Sequence, residues 1–387
     1  MKKKENVKFS IITVCFNAEK IIRLTIESVL NQKWPDFEYI IVDGASTDAT
    51  VDIIQEYAGK DSRIQWSSEA DNGIYNAMNK GIRRAKGDFL LFLNAGDEFH
   101  SADVLGKAAE VTAEADIIIG NIAFKTESGL SEYKYSVGRD LLENLAGGNN
   151  VCHQVIFATK ECLKNGFDEH FMICSDYDWL CQQVNEQKEI VKLEAIVVDY
   201  DLCGVTQQVR YQKIHWDEYF EVIGKHFPQP GFKYGEKVKQ LFIQEKKEYF
   251  LCKFMNRWLF LKQRGINLST FFVRQKIQSV AIYGIHYVGE RLYDELKESE
   301  TEVKYAIDRN PRECKWGISV FHPDDELESV EAVIITPIFD YLEIKAELST
   351  KLDCPVFSIE DVLFYDYECS GNYEDEEYLK KDKNIDD

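Results

Sequence analysis

Residues 40–97 decide the fold, because three segments within this stretch each carry an acid beside or at the end of an apolar run. They read IIVDGASTD over 40–48, SEADNGIYNAMNKGI over 68–82 and FLLFLNAGD over 89–97. Ligands of open α/β sheets bind beyond the carboxyl ends of the strands, so we expect Asp43, Asp71 and Asp97 to meet at one crevice. Such a crevice suits an activated small molecule that carries phosphate, held with a divalent cation.

Outward from this stretch, apolar runs of strand length alternate with segments of helical spacing. Phe9 to Val14 predicts a strand, and Asn17 stands where it would cap the helix that follows, whose apolar residues include Ile22 and Ile26. The alternation predicts an α/β fold with a largely parallel sheet that helices cover on both faces. Glycines punctuate short β-like pieces between 122 and 151, which predicts a region of loops there.

The length of the chain predicts more than one domain. The pattern is helical and aromatic from about 211 to 265, and a second α/β series runs from Val280 to Ser358. We therefore expect a first domain over 1–207, a helical connector over 208–276 and a smaller α/β domain over 277–365. Residues 366–387 hold nine acids and three lysines, which predicts a solvated and poorly ordered acidic tail.

Composition limits the partners and the location. A net charge of −21 argues against nucleic acid as a partner, because phosphate backbones are held by lysine and arginine. The ten cysteines include no C-x-x-C pair, which predicts reduced thiols and a cytoplasmic location rather than a disulfide framework. No long apolar run of about eighteen residues occurs, so any membrane contact is expected to be peripheral.

Five motifs together resemble a known enzyme family. SIITVCFN, VDGASTD, SEADNGIYNAMNKGI, LNAGD and SDYDWL occur in the order, and at roughly the spacing, of inverting family 2 glycosyltransferases of the GT-A fold, especially the bacterial enzymes that build surface polysaccharides. The resemblance covers the first two hundred or so residues. It implies a mixed sheet with flanking helices, a nucleotide-sugar donor such as a UDP-sugar, a glycan or lipid-linked acceptor, and Mg²⁺ or Mn²⁺. It also implies transfer of a hexosyl or N-acetylhexosaminyl group with inversion.

The resemblance assigns the nucleotide-binding residues. It places the Asp43 carboxylate on the imide N–H of a uracil ring; the alternative is that Asp43 caps the turn that holds Ser46 and Asp48. The other residues expected around the nucleotide are Thr13, Asn17, Asp71, Asn72, Gly73 and Asn94.

The resemblance also assigns the reacting groups. Asp97 is the expected metal ligand, although the family's Asp-x-Asp is here Asn94-Ala95-Gly96-Asp97 and lacks one carboxylate; the alternative is that Asp97 caps the helix near Ser101. Asp176 is the expected general base, with Asp178 as the alternative on the same helix. His153 and Gln154 are expected to line the acceptor or diphosphate pocket, although a lone histidine is often only structural.

Two further features lie in the C-terminal half. The segment IYGIHYVGERLYDEL resembles the dinucleotide fingerprint of small Rossmann-like modules, with Gly284 and Gly289 in place, His286 at the middle glycine and Asp308 after the next strand. We expect a structural, regulatory or partner-binding module; the alternative is a live nucleotide site, which would make the chain an NAD-dependent oxidoreductase. A catalytically silent sugar-nucleotide-binding protein is a further alternative.

The second feature is a basic, aromatic stretch over 246–276. It holds eight lysines and arginines against one glutamate. This composition suits contact with an anionic membrane surface, where a lipid-linked acceptor would be found. The alternative is a helix that packs on the protein or on a second copy of the chain.

Overall fold

The computed structural model describes residues 8–126, 129–200, 208–228, 236–311 and 316–365. They form two compact units: the first holds 8–126, 129–200 and 217–228, and the second holds 208–216, 236–311 and 316–365. The segment 236–276, expected to be a connector, falls in the second unit. The acidic tail expected over 366–387 lies outside the described residues.

The first unit is built on a mixed sheet. Its strands are β1 (Phe9–Cys15), β2 (Phe37–Asp43), β3 (Ile64–Ser68), β4 (Phe89–Phe92), β5 (Glu98–Phe99), β6 (Ile117–Thr126), β7 (Gly129–Tyr133), β8 (Ile156–Thr159) and β9 (Ile190–Tyr200). Their order is β3-β2-β1-β4-β8-β6-β9-β5, with β7 paired to β6. β1 to β4 run parallel, whereas β8 is antiparallel to both of its neighbours. The prediction of an α/β mixed sheet is confirmed.

Helices flank this sheet because their apolar residues recur at helical spacing. The helices are α1 (Ile22–Leu30), α2 (Thr50–Ala58), α3 (Ile74–Arg84), α4 (Val104–Glu110), α5 (Arg139–Ala146), α6 (Ser175–Asn185) and α7 (Gln212–His226), the last contributing its residues from 217 onward. In α1, for example, Ile22, Ile26 and Val29 are fully buried.

Two local predictions in this unit are wrong. Asn17 does not cap α1, because it lies in the left-handed region with φ of 50° and its Oδ1 accepts the Thr47 N–H at 2.9 Å. The interval 122–151 is not all loop, because β6 continues to Thr126 and both β7 and α5 form within it. The glycines there mark the ends of these elements rather than an irregular region.

The strand directions bring distant sequence segments to one edge of the sheet. The carboxyl ends of β1, β2 and β4 share this edge, and the amino end of β8 meets them because β8 runs the opposite way. Asn94 to Asp97 therefore follow β4 next to the point where His153 and Gln154 lead into β8. This edge is where ligands of such sheets bind.

The second unit has a separate sheet in which all strands are parallel. Its strands are β10 (Ser279–Tyr283), β11 (Glu302–Ile307), β12 (Ser319–Phe321), β13 (Ala332–Ile335) and β14 (Val356–Ser358), and its helices are α8 (Glu236–Gln263), α9 (Ser269–Gln275), α10 (Tyr287–Leu296), α11 (Tyr341–Leu348) and α12 (Ile359–Leu363). The order β12-β11-β10-β13-β14 is that of a doubly wound fold. Val280 and Ile282 pack into one apolar core and Ala281 and Tyr283 into another, so both faces are covered. Within the described ranges, no helix is long and apolar enough to cross a membrane.

Candidate active site

Asp43 ends β2 and is fully buried. One of its carboxylate oxygens accepts the Ser46 hydroxyl at 2.5 Å, and the other accepts the Ser46 N–H at 3.0 Å and the Ser68 hydroxyl at 2.6 Å. Asp43 thus closes the turn after β2 and ties it to the end of β3, which is the role that the turn-cap alternative describes. A ligand would reach the carboxylate only by replacing one of these serine hydroxyls.

An exposed aromatic ring and a carboxylate lie beside the turn that follows Asp43. Phe16 follows β1 with 62% of its surface exposed. A Cβ atom on Gly44 would lie 2.7 Å from Asp71 Oδ2 and 3.4 Å from the Phe16 ring, so the glycine allows both side chains to approach the backbone. An aromatic face and a carboxylate beside bare backbone can receive a planar polar ring. Sequence reasoning missed Phe16, although an aromatic residue directly after a buried strand was a usable signal.

The other nucleotide-side residues line the entry to α3. Asp71 Oδ1 accepts the Gly73 N–H at 3.1 Å, and Gly73 has a φ of +116°, which favours glycine. Asn72 and Gly73 are both exposed. Their exposure and their place at the start of α3 leave them free to contact a ligand at this edge.

Thr13 is placed differently from the expectation. It is fully buried, and its hydroxyl donates to the Leu93 carbonyl at 2.6 Å and contacts the Tyr39 hydroxyl at 2.9 Å. The side chain therefore links β1 to its two neighbours inside the sheet. Because the Thr13 side chain has no exposed surface, it does not contribute to the surface that a nucleotide could contact.

A separate group of contacting side chains consists of Asp176, His153 and Asn94. Asp176 lies in the first turn of α6, and its Oδ2 is 2.8 Å from His153 Nδ1. The other ring nitrogen, Nε2, is 3.0 Å from Asn94 Nδ2. Because an amide N–H₂ faces Nε2, the partners assign the hydrogen to Nδ1, which donates to Asp176. These three residues, far apart in sequence, form one chain of hydrogen bonds.

Asp97 belongs to the same neighbourhood. It is nearly buried, and its Oδ2 accepts the Gln154 Nε2–H at 3.1 Å. Burial raises the pKa of the Cys152 thiol to about 12, and the negative charges of Asp176 and Asp97 both add to this effect. The adjacent residues His153 and Gln154 contact Asp176 and Asp97 respectively, so the two acids are reached from one turn. Asp97 does not cap α4, which begins after Asp103.

Asp178 occupies a different environment from Asp176. It is buried, and its carboxylate accepts hydrogen bonds from His226 Nε2 at 2.8 Å and Lys225 Nζ at 2.9 Å. Burial alone would raise the pKa of Asp178, but these two partners outweigh it and lower the pKa below its usual value. Asp178 therefore anchors α6 to α7, and Asp176 is the acid that faces the site.

Two residues that sequence reasoning missed support Asp176. The Tyr75 hydroxyl donates to the Ile173 carbonyl oxygen at 2.5 Å and lies 3.1 Å from Asp176 Oδ1, and burial, with the Asp176 charge, raises the pKa of Tyr75 well above its usual value, so it stays neutral. Glu218 on α7 accepts the backbone N–H groups of residues 172–174 at 2.6 to 2.9 Å. These contacts hold the loop that leads into α6. Nothing in the local sequence pattern signals either partnership.

The residues after β4 fit a divalent cation. Asp97 supplies a carboxylate oxygen, and Asn94 Oδ1 is buried without a hydrogen-bond partner. An amide oxygen is a suitable ligand for Mg²⁺ or Mn²⁺, and a diphosphate would supply further oxygens. Among the described residues, no cluster of three or more His, Cys, Asp or Glu side chains could hold a metal by itself. The two oxygens therefore suit a cation that arrives with its phosphate ligand.

In the second unit, polar groups of the fingerprint segment already have hydrogen-bond partners within the protein. Gly289 packs so closely that a Cβ there would lie 2.0 Å from the Gly284 carbonyl oxygen, as the helix–strand packing of a doubly wound fold requires. His286 Nδ1 accepts the Val288 N–H at 3.3 Å, and Asp308 Oδ2 accepts the Ile285 N–H at 3.0 Å. The groups that would hold a pyrophosphate and a ribose are thus used internally.

We therefore expect the chain not to bind NAD tightly. Titration calorimetry of the full chain with NAD is expected to give no submicromolar binding, because the Val288 N–H and the Asp308 carboxylate are occupied and His286 fills the pyrophosphate position. Burial lowers the pKa of His286 despite Asp308 and Glu290 nearby, so the ring is not a cation that would attract phosphate. A submicromolar Kd would contradict this expectation and favour a live nucleotide site.

Comparison with known proteins gives a consistent result over the first unit. Residues 10–187 match the family described as Glycosyl transferase family 2. A PGL/p-HBAD biosynthesis glycosyltransferase of Mycobacterium tuberculosis is 34% identical over 203 residues, which are 51% of this chain and 77% of that protein. A second, uncharacterized glycosyltransferase of the same species is 30% identical over 202 residues, 51% of this chain and 76% of that protein.

Solved structures show a weaker likeness. S. aureus TarS has a TM-score of 0.45 and 19% identity, covering 60% of this chain and 68% of that chain. The mannosyltransferase PcManGT of Pyrobaculum calidifontis, solved with GDP-Man and Mn²⁺, has a TM-score of 0.46 and 14% identity, covering 62% and 69%. Likeness of this size carries no inference about ligands.

Proposed function

The chain belongs to glycosyl transferase family 2, and from this premise we propose that its first unit transfers a hexosyl or N-acetylhexosaminyl group from a nucleotide-diphosphate sugar, with inversion. The acceptor is a glycan or a lipid-linked acceptor, and the reaction serves the assembly of a cell-surface polysaccharide. A UDP-sugar is the donor we favour. We expect the sugar transfer to take place in the cytoplasm, where the nucleotide sugar would be available.

One observation carries this proposal: a single turn contacts both reacting groups. His153 contacts Asp176, and the next residue, Gln154, contacts Asp97. Such an arrangement provides a base on the acceptor side and a carboxylate on the diphosphate side. An inverting transfer needs these two groups on opposite sides of the sugar.

The mechanism is one in-line displacement. The acceptor hydroxyl attacks the anomeric carbon as its proton passes to Asp176, and the bond to the diphosphate breaks with inversion. A carboxylate that accepts the proton while the new bond forms acts as a general base, so no covalent enzyme intermediate is needed. The His153 Nδ1–H and the Tyr177 backbone N–H hold the Asp176 carboxylate in place by hydrogen bonds.

Asp97 and Asn94 are the residues that would hold the cation. When bound, Mg²⁺ or Mn²⁺ neutralises charge on the departing diphosphate. With one carboxylate in place of two, the protein alone offers a weak metal site, so we expect the cation to bind together with the donor.

The base of the donor nucleotide is proposed to lie against the surface formed by Phe16, Gly44 and Asp71. The exposed Phe16 ring offers a stacking surface, and Asp71, Asn72 and Gly73 supply polar contacts at the start of α3. Asp43 would meet the imide of a pyrimidine if the base replaces the Ser68 or Ser46 hydroxyl. Asn17 stays near by holding the Thr47 backbone.

The experiment that tests this function is a thermal-shift screen. UDP, dTDP, GDP, ADP and CDP are compared with and without Mn²⁺, because a ligand raises the melting temperature according to its affinity. We expect the largest shift for UDP with Mn²⁺, and a much smaller one in Phe16→Ala, where stacking worth about 1–3 kcal/mol is lost. Phe124→Ala, which removes another aromatic ring of the same unit, serves as the control. No shift with any nucleotide would contradict the proposed donor site, whereas a shift without transfer from any donor would favour the catalytically silent sugar-nucleotide-binding protein.

A peripheral membrane contact is proposed for the C-terminal end of α8. Phe254 and Trp258 pack inside the second unit, as the packing alternative describes, but Leu259 and Phe260 are 55% and 42% exposed. The Arg264 guanidinium lies 4.8 Å from the Phe260 ring. Exposed apolar side chains among cations suit an anionic lipid surface.

The contact is tested by co-sedimentation with vesicles of anionic and of neutral lipid. Wild type is expected to sediment with the anionic vesicles at low salt, and the double variant Leu259→Glu, Phe260→Glu is expected to stay in the supernatant. Leu241→Glu is the matched control, because Leu241 is equally exposed on α8 but lies outside the basic stretch. Binding that survives the double variant, or a dimer that the variant disrupts, would contradict a lipid contact.

A further inference from the structure

His153 and Gln154 are not themselves reacting groups, yet each contacts one. They form a short 3-10 turn, His153–Val155, that leads into β8. Gln154 is buried, and the His153 side chain is 15% exposed. Because the turn continues into a strand inside the sheet, it is a rigid support.

The hydrogen bonds of Asp176 show where a substrate hydroxyl can approach. A carboxylate oxygen can accept about two hydrogen bonds. Oδ1 accepts the Tyr177 N–H at 2.8 Å and lies 3.1 Å from the Tyr75 hydroxyl oxygen, whose single hydrogen also has the Ile173 carbonyl oxygen at 2.5 Å. Oδ2 accepts only His153 Nδ1–H, at 2.8 Å, among the described residues. Oδ1 therefore has two close polar neighbours and Oδ2 has one, so an incoming hydroxyl is best received at Oδ2, the oxygen that His153 holds.

The far side of the imidazole fixes its orientation. Asn94 Nδ2 donates to Nε2 at 3.0 Å, which selects the tautomer with hydrogen on Nδ1. The same contact turns Asn94 Oδ1 away from the ring, and this oxygen is buried without a partner. Asn94 thus orders the histidine with its nitrogen and leaves its oxygen for the diphosphate side.

From these contacts we propose that His153 and Gln154 are a positioning pair that fixes the separation of the two acids, His153 holding Asp176 and Gln154 holding Asp97. The proposal rests on the proposed function, in which Asp176 is the base. His153 acts through its Nδ1–H. It neither takes the proton of the acceptor nor contacts the donor.

Two substitutions separate the nitrogens of His153. The amide nitrogen of asparagine lies as far along the side chain as Nδ1, whereas that of glutamine lies as far as Nε2. His153→Asn is therefore expected to keep kcat within about tenfold of wild type. His153→Gln and His153→Ala are expected to lose about 10²-fold in kcat with the donor KM unchanged, since a misplaced reacting group costs this much. Gln154→Leu is expected to lose a similar factor through Asp97.

A matched control is present in the same unit. His100 Nδ1 lies 2.7 Å from Asp199, a pair of the same kind at the β5–β9 edge. His100→Gln is expected to leave kcat unchanged. If His153→Asn is as slow as His153→Ala, or if the loss appears in the donor KM while kcat is kept, the proposal is overturned. The second pattern would assign His153 to the diphosphate instead.

A spectroscopic readout does not depend on turnover. Nitrogen-15 NMR of histidine-labelled full-length protein, with the signal assigned from the spectrum of His153→Asn, is expected to show His153 protonated at Nδ1. A ring protonated at Nε2 would overturn the proposal even if the enzyme is active. Failure of the proposed function would appear differently, as transfer that survives Asp176→Asn or as no donor binding by wild type.

Discussion

Asp176→Asn is expected to reduce kcat by about 10²–10⁴-fold, because a general base contributes a factor of this size. Asparagine keeps the shape of the side chain but cannot take up the acceptor proton. The donor does not contact Asp176 in the proposed mechanism, so its affinity should change little. The measurement is kcat for sugar transfer, together with the thermal shift produced by the donor.

Asp178→Asn is the control for this prediction. It makes the same chemical change two residues later on α6, where the carboxylate is bonded to His226 and Lys225. We expect this variant to be less stable but to keep its turnover. Retained turnover in Asp176→Asn would remove Asp176 from its proposed role.

Asp97→Asn is expected to lower kcat/KM by about 10²–10³-fold, because a cation on the leaving group is worth several kcal/mol of transition-state stabilisation. The substitution removes the carboxylate proposed to hold the cation and leaves the Gln154 contact possible through an amide oxygen. A titration of activity against Mn²⁺ should therefore shift to higher concentrations. The UDP thermal shift should lose most of its dependence on Mn²⁺.

Asp103→Asn is a suitable control for charge. Asp103 lies six residues after Asp97, and its side chain is exposed beside Lys33. It removes the same charge from the same region without touching the turn after β4. A dependence on Mn²⁺ that is identical in wild type and Asp97→Asn would remove Asp97 from the metal site.

The strands around the site could be predicted because both faces of the sheet are covered. All seven residues of β1 and all seven of β2 are buried, and most of them are apolar, as in the run Tyr39 to Val42 of β2. The same pattern shows where each strand ends, and therefore which acids lie at strand ends. The sequence alone therefore predicts that Asp43 and Asp97 lie at one edge of the sheet.

The partners of these residues could not be predicted, because they depend on strand order rather than on local spacing. Tyr75 and Asp176 are 101 positions apart, and they meet only after α3 and α6 have reached the same edge. The position of β8 beside β4 sets the neighbours of His153 in the same way. The burial of Thr13 likewise depends on which strands lie alongside. So do the hydrogen bonds that occupy the Asp43 carboxylate.

Glu218 holds the loop that leads into α6, so an active fragment of the chain must include Glu218. The expected first domain ended at residue 207, yet the loop before Asp176 is fastened by a carboxylate eleven residues beyond that limit. Asp178 is also fastened from α7, by Lys225 and His226. A polypeptide stopped at 207 would thus keep every residue assigned to chemistry and still release the segment that carries the base. The shortest piece worth expressing runs at least through residue 226.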